Sequence, residues 1–287
     1  MHALFRQIAR SYLRTSWSTL SDDGEPLVIY SRDLISLGVV LDGYAERNYL
    51  EAIAKFLVPI MPEHSTFLDI GANIGNHTVF LSRYFDKTIA FEPNPRANRL
   101  LALNTENLPS VKVYPHGLSN FERELNFVTD EGNLGSTRVV DWCDTSSQSL
   151  RVRRLDETLK AEVSMRVGLI KIDVEGHELE VLEGAEETIR QDKPLIVMEI
   201  LNRRKFARLP PAVSLLTDMG YHYFYEFTPT GFIGALPRRF WKYWKIIVGL
   251  LFGKNFNTAA SIRRVGQFRK YDYAMIVCAS CELDHVA

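Results

Sequence analysis

Thr66-Phe67-Leu68-Asp69-Ile70-Gly71-Ala72-Asn73-Ile74-Gly75 is the stretch that decides the fold. Phe67, Leu68 and Ile70 make a short apolar run of the kind buried in a parallel strand, and the small residues after it predict a tight turn into a helix from Asn76. Gly71 and Gly75 carry no Cβ, so the backbone can bend sharply there and a ligand can touch bare peptide groups. The free N–H groups of the next helix add a partial positive pole. Asp69, at the carboxyl end of the strand, faces whatever occupies the turn.

Lys87 to Glu92 (Lys-Thr-Ile-Ala-Phe-Glu) predicts a second strand whose terminal carboxylate comes 23 residues after Asp69, ahead of Pro93 and Pro95. An acidic residue about 20 residues beyond a glycine turn is placed to accept vicinal ribose hydroxyls, which points to a nucleoside-bearing cofactor. A dinucleotide site wants G-x-G-x-x-G. Here Gly71-Ala72-Asn73-Ile74-Gly75-Asn76 has Asn73 in the middle and no third glycine, so the diphosphate cradle of an NAD site is missing. The D-x-G-A-N-x-G pattern with a later Glu92 resembles the first two cofactor motifs of class I S-adenosylmethionine-dependent methyltransferases.

A chain of 287 residues can bury a full core, and one domain with embellishments is the expected organisation. Hydrophobic content of 46% and charged content of 24% are those of a soluble globular protein. No window reaches the roughly 18 uninterrupted apolar residues of a spanning helix, and the first residues lack the apolar core of a secretory signal, so a cytoplasmic protein is expected. Cys143, Cys278 and Cys281 agree with reducing surroundings. Cys278-Ala-Ser-Cys281 has C-x-x-C spacing but no second pair to complete a zinc site.

Before the core, Met1 to Leu20 carries three arginines, no acid, and apolar residues at amphipathic helical spacing (Phe5, Ile8, Tyr12, Leu13, Trp17). It reads as an appended helix over an edge of the domain or as a helix lying on a membrane surface, and its Arg-rich, acid-free composition is also that of a transit peptide. Leu27 to Tyr30 and Leu34 to Leu41 predict a hairpin, so residues 1–46 form an extension and 47–287 the main domain. Helices are expected over about Arg47 to Val58, Asn76 to Phe85 and Pro95 to Glu106, and a third strand over Val111 to Tyr114. This alternation means an α/β fold with a doubly wound, mostly parallel sheet and ligands at its carboxyl edge. Residues 124–154 break the rhythm as an inserted hairpin over that edge, its polar tip running from Asp130 to Ser136. Leu155 to Leu159 is a short helix leading back.

Val167 to Glu178 is the second chemical stretch. Leu169, Ile170, Ile172 and Val174 predict a buried strand, Gly176 opens a helix to about Arg190, and Lys171, Asp173, Glu175 and His177 cluster at the junction. Burying charge costs several kcal/mol unless it is paired, and a merely structural strand rarely carries so many ionisable groups. Pro194 to Ile200 is a further strand with Glu199 near its carboxyl end, placed to approach Lys171 or Asp173. Lys171 and Glu199 are expected to form a structural ion pair or to orient a substrate.

Together, Leu68 to Gly75, Ala90-Phe91-Glu92-Pro93-Asn94, the Gly117-Leu118-Ser119 turn, Ile170-Lys171-Ile172-Asp173-Val174-Glu175-Gly176-His177-Glu178-Leu179 and Val181-Leu182-Glu183-Gly184-Ala185 resemble the FkbM family of methyltransferases over about Asp42 to Ile200. The resemblance implies a class I sheet of seven strands closed by an antiparallel pair, here Tyr221 to Phe227 and Tyr273 to Ala279. It implies an S-adenosylmethionine-dependent O-methyltransferase acting on hydroxyls of sugars or related natural products. Asp69, Gly71, Asn73 and Gly75 would surround the methionine portion of the cofactor, with Glu92 and Asn94 at the ribose side. Asp173, Glu175 and His177 then remain for catalysis: Asp173 or His177 takes the acceptor's proton and Glu175 orients it. Lys171, Glu199, Asn133 and Ser136 are further substrate candidates. The carboxylate cluster also has the chemistry to hold Mg²⁺.

Nine Lys or Arg and no acid lie between Leu236 and Tyr271, which leaves the remainder of the chain acidic. Phe240 to Phe252 is apolar, aromatic and flanked by cations: too short to span a bilayer, long enough to lie in its interface, and also suited to a lid or a core helix. With residues 1–20 it is the expected peripheral membrane contact, compatible with a lipid-linked saccharide acceptor. No nucleic-acid module accompanies these residues, so no nucleic-acid partner is expected. The reading of another class is a catalytically degenerate methyltransferase fold serving as a membrane-tethered scaffold; the intact acidic and glycine positions argue against it.

Overall fold

A computed structural model of the protein describes residues 27–30, 34–130, 133–140, 148–160, 162, 165–200, 209–229, 260–268 and 273–283. The first helix, α1, covers Leu34–Asp42, where the sequence predicts the second strand of a hairpin. The β-branched, apolar composition of this run suits either state. Tertiary contacts decide: Ser36 and Val39, one helical turn apart, are buried, and Ser36 Oγ accepts from the Tyr30 amide at 3.1 Å. Residues 27–30 instead run extended against Asn104, whose side chain bonds both backbone groups of Val28 at 2.6 and 3.0 Å.

Helix α2 (Arg47–Ala52) continues through a π-helical turn at Ile53–Leu57 and a 3₁₀ turn at Val58–Ile60. There follow β1 (Thr66–Ile70), α3 (Asn76–Ser82), β2 (Lys87–Phe91), α4 (Pro95–Thr105) and β3 (Val111–Tyr114). Asn94 caps α4 by accepting from the Arg96 amide at 2.9 Å, and Pro95 sits in the first turn, where its missing N–H costs nothing. After the excursion come α5 (Leu155–Leu159), β8 (Val167–Ile172), α6 (Glu178–Gly184), α7 (Glu186–Asp192) and β9 (Leu195–Ile200). The helix expected to run unbroken to Arg190 is divided at Ala185, and Asp156 caps the second piece by accepting from the amides of Glu187 and Thr188. Helix α8 (Pro211–Asp218) and β10 (Tyr223–Pro229), β11 (Ala260–Arg264) and β12 (Tyr273–Ala279) complete the order.

The main sheet runs β11-β10-β12-β9-β8-β1-β2-β3. Its five central and flanking strands from β9 to β3 are parallel, whereas β12 pairs antiparallel with both β9 and β10. This is the doubly wound, mostly parallel class I methyltransferase sheet, with one strand more than the expected seven. The addition is β11, which falls inside the segment read as a basic insertion and extends the edge antiparallel to β10. Residues 236–259 and 269–271 of that insertion, residues 1–20, Cys143 and the 131–132 tip lie outside the described residues.

Both faces of the sheet are covered, and the period of two sorts the strand residues between them. Leu68, Ile70, Ile170, Ile172, Ile196 and Met198 pack in one cluster; Phe67, Leu169, Val197 and Val277 pack in the other, beneath α2 and α3. By the same alternation, Asp69 and Lys171 belong to the second face, and the continuation places Asp173 and Glu199 there too. In the expected hairpin region, β5 (Arg123–Asp130), β6 (Asn133–Val140) and β7 (Gln148–Arg153) join β4 (Gly117–Leu118) in a separate sheet of order β4-β7-β5-β6. Leu125, Phe127, Leu150 and Val152 give it a small core of its own.

Candidate active site

The carboxyl ends of β2, β1, β8 and β9 carry the charged groups. Gly71 adopts φ +77°, and a Cβ there would lie 1.9 Å from the carbonyl oxygen of Asp173, so only glycine lets the two loops touch. The Asp173 amide in turn donates to the Ile70 carbonyl at 3.0 Å. Asn73 is left-handed at φ 51°, and Gly75 at φ +90° precedes α3.

Asp69 is fully buried. Its Oδ2 accepts from Thr78 Oγ1 at 2.6 Å, and its Oδ1 lies 3.3 Å from Lys171 Nζ. Lys171, also buried, donates to the Gly71 carbonyl at 2.8 Å and stands 3.5 Å from Asp173 Oδ2. Burial pulls the lysine's pKa down, but Asp69 and then Asp173 outweigh it and hold the ammonium charged, above its ordinary value. The expected Lys171–Glu199 ion pair is therefore replaced: the lysine turns along its own face to Asp69 and Asp173, and in the register Lys171 lies beside Val197. Glu199 faces acids instead. Burial first, then Asp173, Glu175 and Glu178, push its carboxyl up to about 8.

On the other side of β1, buried Glu92 accepts from the Asn73 amide at 2.8 Å and the Asn94 amide at 2.7 Å. Burial raises its pKa to about 7 despite these two bonds. Each carboxylate oxygen keeps a lone pair for a further donor. Asn94 is committed to capping α4 and to this bond, so it shapes the acid's position.

His177 has different neighbours from Asp173. Its Nε2 lies 3.0 Å from Ser119 Oγ, its Nδ1 lies 3.4 Å from Glu180, and burial lowers its pKa. The same junction holds Asn120 Nδ2 on Glu183 at 2.6 Å, and a Cβ on Gly184 would strike the Ser119 carbonyl at 2.0 Å. His177 thus joins α6 to the β4 turn. Glu175 is left-handed at φ 55° beside Gly176. Asn133 and Ser136 lie on β6, in the second sheet. Among the described residues, no three His, Cys, Asp or Glu side chains converge as a metal-binding group, and no helix is long and apolar enough to cross a membrane.

The sequence reading missed Asn76, His77, Thr78 and Glu46. Asn76 Oδ1 and Nδ2 bond the amide and carbonyl of Ala45 at 2.8 and 2.9 Å, which pins residue 46 over the start of α3. A signal was present: Asn-His-Thr opens a helix whose seven residues are all buried, and polar groups in such a place need partners.

Residues 69–223, more than half of the chain, match the Methyltransferase FkbM domain. The chain belongs to the FkbM methyltransferase family. The hexuronic acid methyltransferase AglP of Haloferax volcanii is 28% identical to this FkbM protein over 149 residues, covering 52% of the chain and 61% of AglP. Methyltransferase sdnD of Sordaria araneosa is 29% identical over 197 residues, covering 56% of the chain and 75% of the relative. The chain thus spans less than two thirds of AglP. The crystal structure of an FkbM methyltransferase from Methylobacillus flagellatus aligns with a TM-score of 0.38 at 18% identity, over 68% of this chain and 49% of that one.

S-Adenosylmethionine fits the FkbM site's chemistry. The glycine turn leaves bare backbone between two acids, Glu92 has acceptor capacity to spare, and Asn73 Oδ1 and His77 Nε2 are buried polar atoms without a hydrogen-bond partner among the described residues.

Proposed function

We propose that this FkbM protein is an S-adenosylmethionine-dependent O-methyltransferase that modifies a hydroxyl of a saccharide or a related natural product. One observation supports the reading: the Gly71–Gly75 turn, with Glu92 beside it, touches through the Gly71–Asp173 contact the loop that carries Asp173, next to Glu199. S-Adenosylmethionine, when bound, supplies the electrophilic methyl group. The chain's own residues hold the acceptor and take its proton. Asp173, with its side chain 39% exposed, is open to an acceptor hydroxyl, and Lys171 behind it fixes the carboxylate's direction. Glu199 beside it, pushed up to about 8, holds its proton at neutral pH, which leaves Asp173 as the group placed to accept the hydroxyl proton.

Asp173 rather than His177 is the proposed base, because His177 is engaged by Ser119 and Glu180. The saccharide class draws on the name of AglP, which acts on a hexuronic acid. Acceptance of such a substrate at a membrane surface would rest on residues 1–20 and 236–271.

The test is calorimetry with S-adenosylhomocysteine, followed by release of that product on incubation with S-adenosylmethionine and uronic acid glycosides. Asp173→Asn is expected to cut turnover by about 10²- to 10⁴-fold with the affinity for S-adenosylhomocysteine nearly unchanged. Equal loss of both would move Asp173 into the cofactor site, and a folded protein that binds no S-adenosylhomocysteine would end the proposal.

A further inference from the structure

Helix α3 opens with three polar residues in a fully buried setting, and two are accounted for. Asn76 holds Ala45 and Thr78 holds Asp69. His77 is not. The residue is only 8% exposed, and its Nε2 has no hydrogen-bond partner among the described residues. Glu46 Oε2 is 3.7 Å away, beyond hydrogen-bonding distance. Burial, and Lys171 after it, hold the imidazole pKa down to about 4, so the ring is neutral at physiological pH and its approach to Glu46 is no ion pair. A buried polar atom left unpaired costs about 1–3 kcal/mol, and such exceptions call for an explanation.

Its surroundings indicate which ligand chemistry fits there. The charged groups acting on the ring are Lys171, Asp69 and Asp173, with Glu46 at its tip. Acid outweighs base here, which favours a cationic ligand group. The place also lies on the β8 side of β1, opposite to Glu92 at the end of β2. A ligand whose ribose meets Glu92 and which crosses the Gly71–Gly75 turn therefore arrives at His77 with its other end. Glu46 is held in position: it is left-handed at φ 56°, next to the Ala45 backbone that Asn76 grips on both sides.

We propose that His77 and Glu46 form the seat for the α-amino-acid end of the cofactor, with Glu46 facing the ammonium and His77 Nε2 hydrogen-bonded to the same end. The assignment rests on the proposed S-adenosylmethionine site and adds two residues that the family motifs did not mark. It gives the buried imidazole nitrogen a hydrogen-bonding role.

Calorimetry on the full chain tests it with two probes. S-Adenosylhomocysteine carries the amino-acid end; 5′-methylthioadenosine shares the nucleoside and the thioether but lacks that end. His77→Leu is expected to weaken S-adenosylhomocysteine by about tenfold or more, the effect of one hydrogen bond to a charged group, and to leave 5′-methylthioadenosine unchanged. Its melting temperature without ligand should hold or rise, because Nε2 gives up no hydrogen bond to the described residues. Glu46→Gln, at a partly exposed position, should show the same selective loss and carries the test if His77→Leu fails to fold. Unchanged S-adenosylhomocysteine affinity, or equal weakening of both probes, would overturn the seat while leaving the cofactor site standing. Failure of the wild-type protein to bind S-adenosylhomocysteine would instead overturn the cofactor reading on which the seat depends.

Discussion

Lys171→Met removes the one charge that the centre of the site is built around while keeping most of the side chain's length. Lys171 is 3% exposed and Asp69 fully buried, so neither is screened by water. Without the ammonium, Asp69 retains only the Thr78 hydroxyl, and the Gly71 carbonyl loses its 2.8 Å donor. Removing one partner of a buried pair costs about 3–5 kcal/mol, and an orphaned carbonyl adds about 1. The contact with Asp173 adds little, because that carboxylate is 39% exposed. A total loss of about 4 kcal/mol is expected, a large share of the roughly 5–15 kcal/mol that holds a domain folded. Urea unfolding of the wild type, Lys171→Met, Asp69→Asn and the double variant measures it. Asp69→Asn should restore much of the loss in the Lys171→Met background, with a coupling of at least about 2 kcal/mol. Additive losses would refute the claim that Asp69 is what the lysine neutralises.

Gly71→Ala and Gly184→Ala should each lower stability by at least about 2 kcal/mol, because their Cβ atoms would sit 1.9 and 2.0 Å from backbone oxygens; a melting temperature within a degree or so of the wild type would show that the loops can move apart. For Glu92, whose folded pKa of about 7 exceeds its ordinary value, the protonated form is the one that folding favours. Its effect on stability is therefore an advantage at acid pH that is lost as pH rises from about 4.5 through 7, and Glu92→Gln should flatten that slope in unfolding experiments between those values. Ribose hydroxyls donating to this acid favour its ionised form. S-Adenosylhomocysteine should accordingly bind about tenfold more tightly at pH 8 than at pH 6, with proton release visible as a buffer-dependent calorimetric enthalpy that Glu92→Gln removes. A pH-independent affinity would contradict the assignment.

The glycine turn, the acid at the end of the second strand and the ionisable run around Lys171 were legible because each is a local pattern: an apolar run, a special backbone geometry and a charge where burial is expected. The doubly wound, mostly parallel character of the sheet followed from the alternation of strands and helices. What stayed hidden depends on packing between distant segments. Leu34–Asp42 has a composition suited to a strand and becomes a helix because Ser36 and Val39 bury one side of it. The partner of Lys171 could not be chosen from spacing, since Asp69, Asp173 and Glu199 were all available and only the side-chain direction selects the first two. His77 escaped notice because a lone histidine after a glycine turn has no pattern of its own; its meaning lies in a missing bond.

The contact between Gly71 and the Asp173 carbonyl has a mechanical consequence. Two loops 102 residues apart in the chain meet without a side chain between them, so no rotamer can absorb a displacement of either. The turn and the carboxylate bearing the proposed proton transfer behave as one rigid part. A substitution or ligand that displaced the turn would therefore press directly on the backbone that carries Asp173.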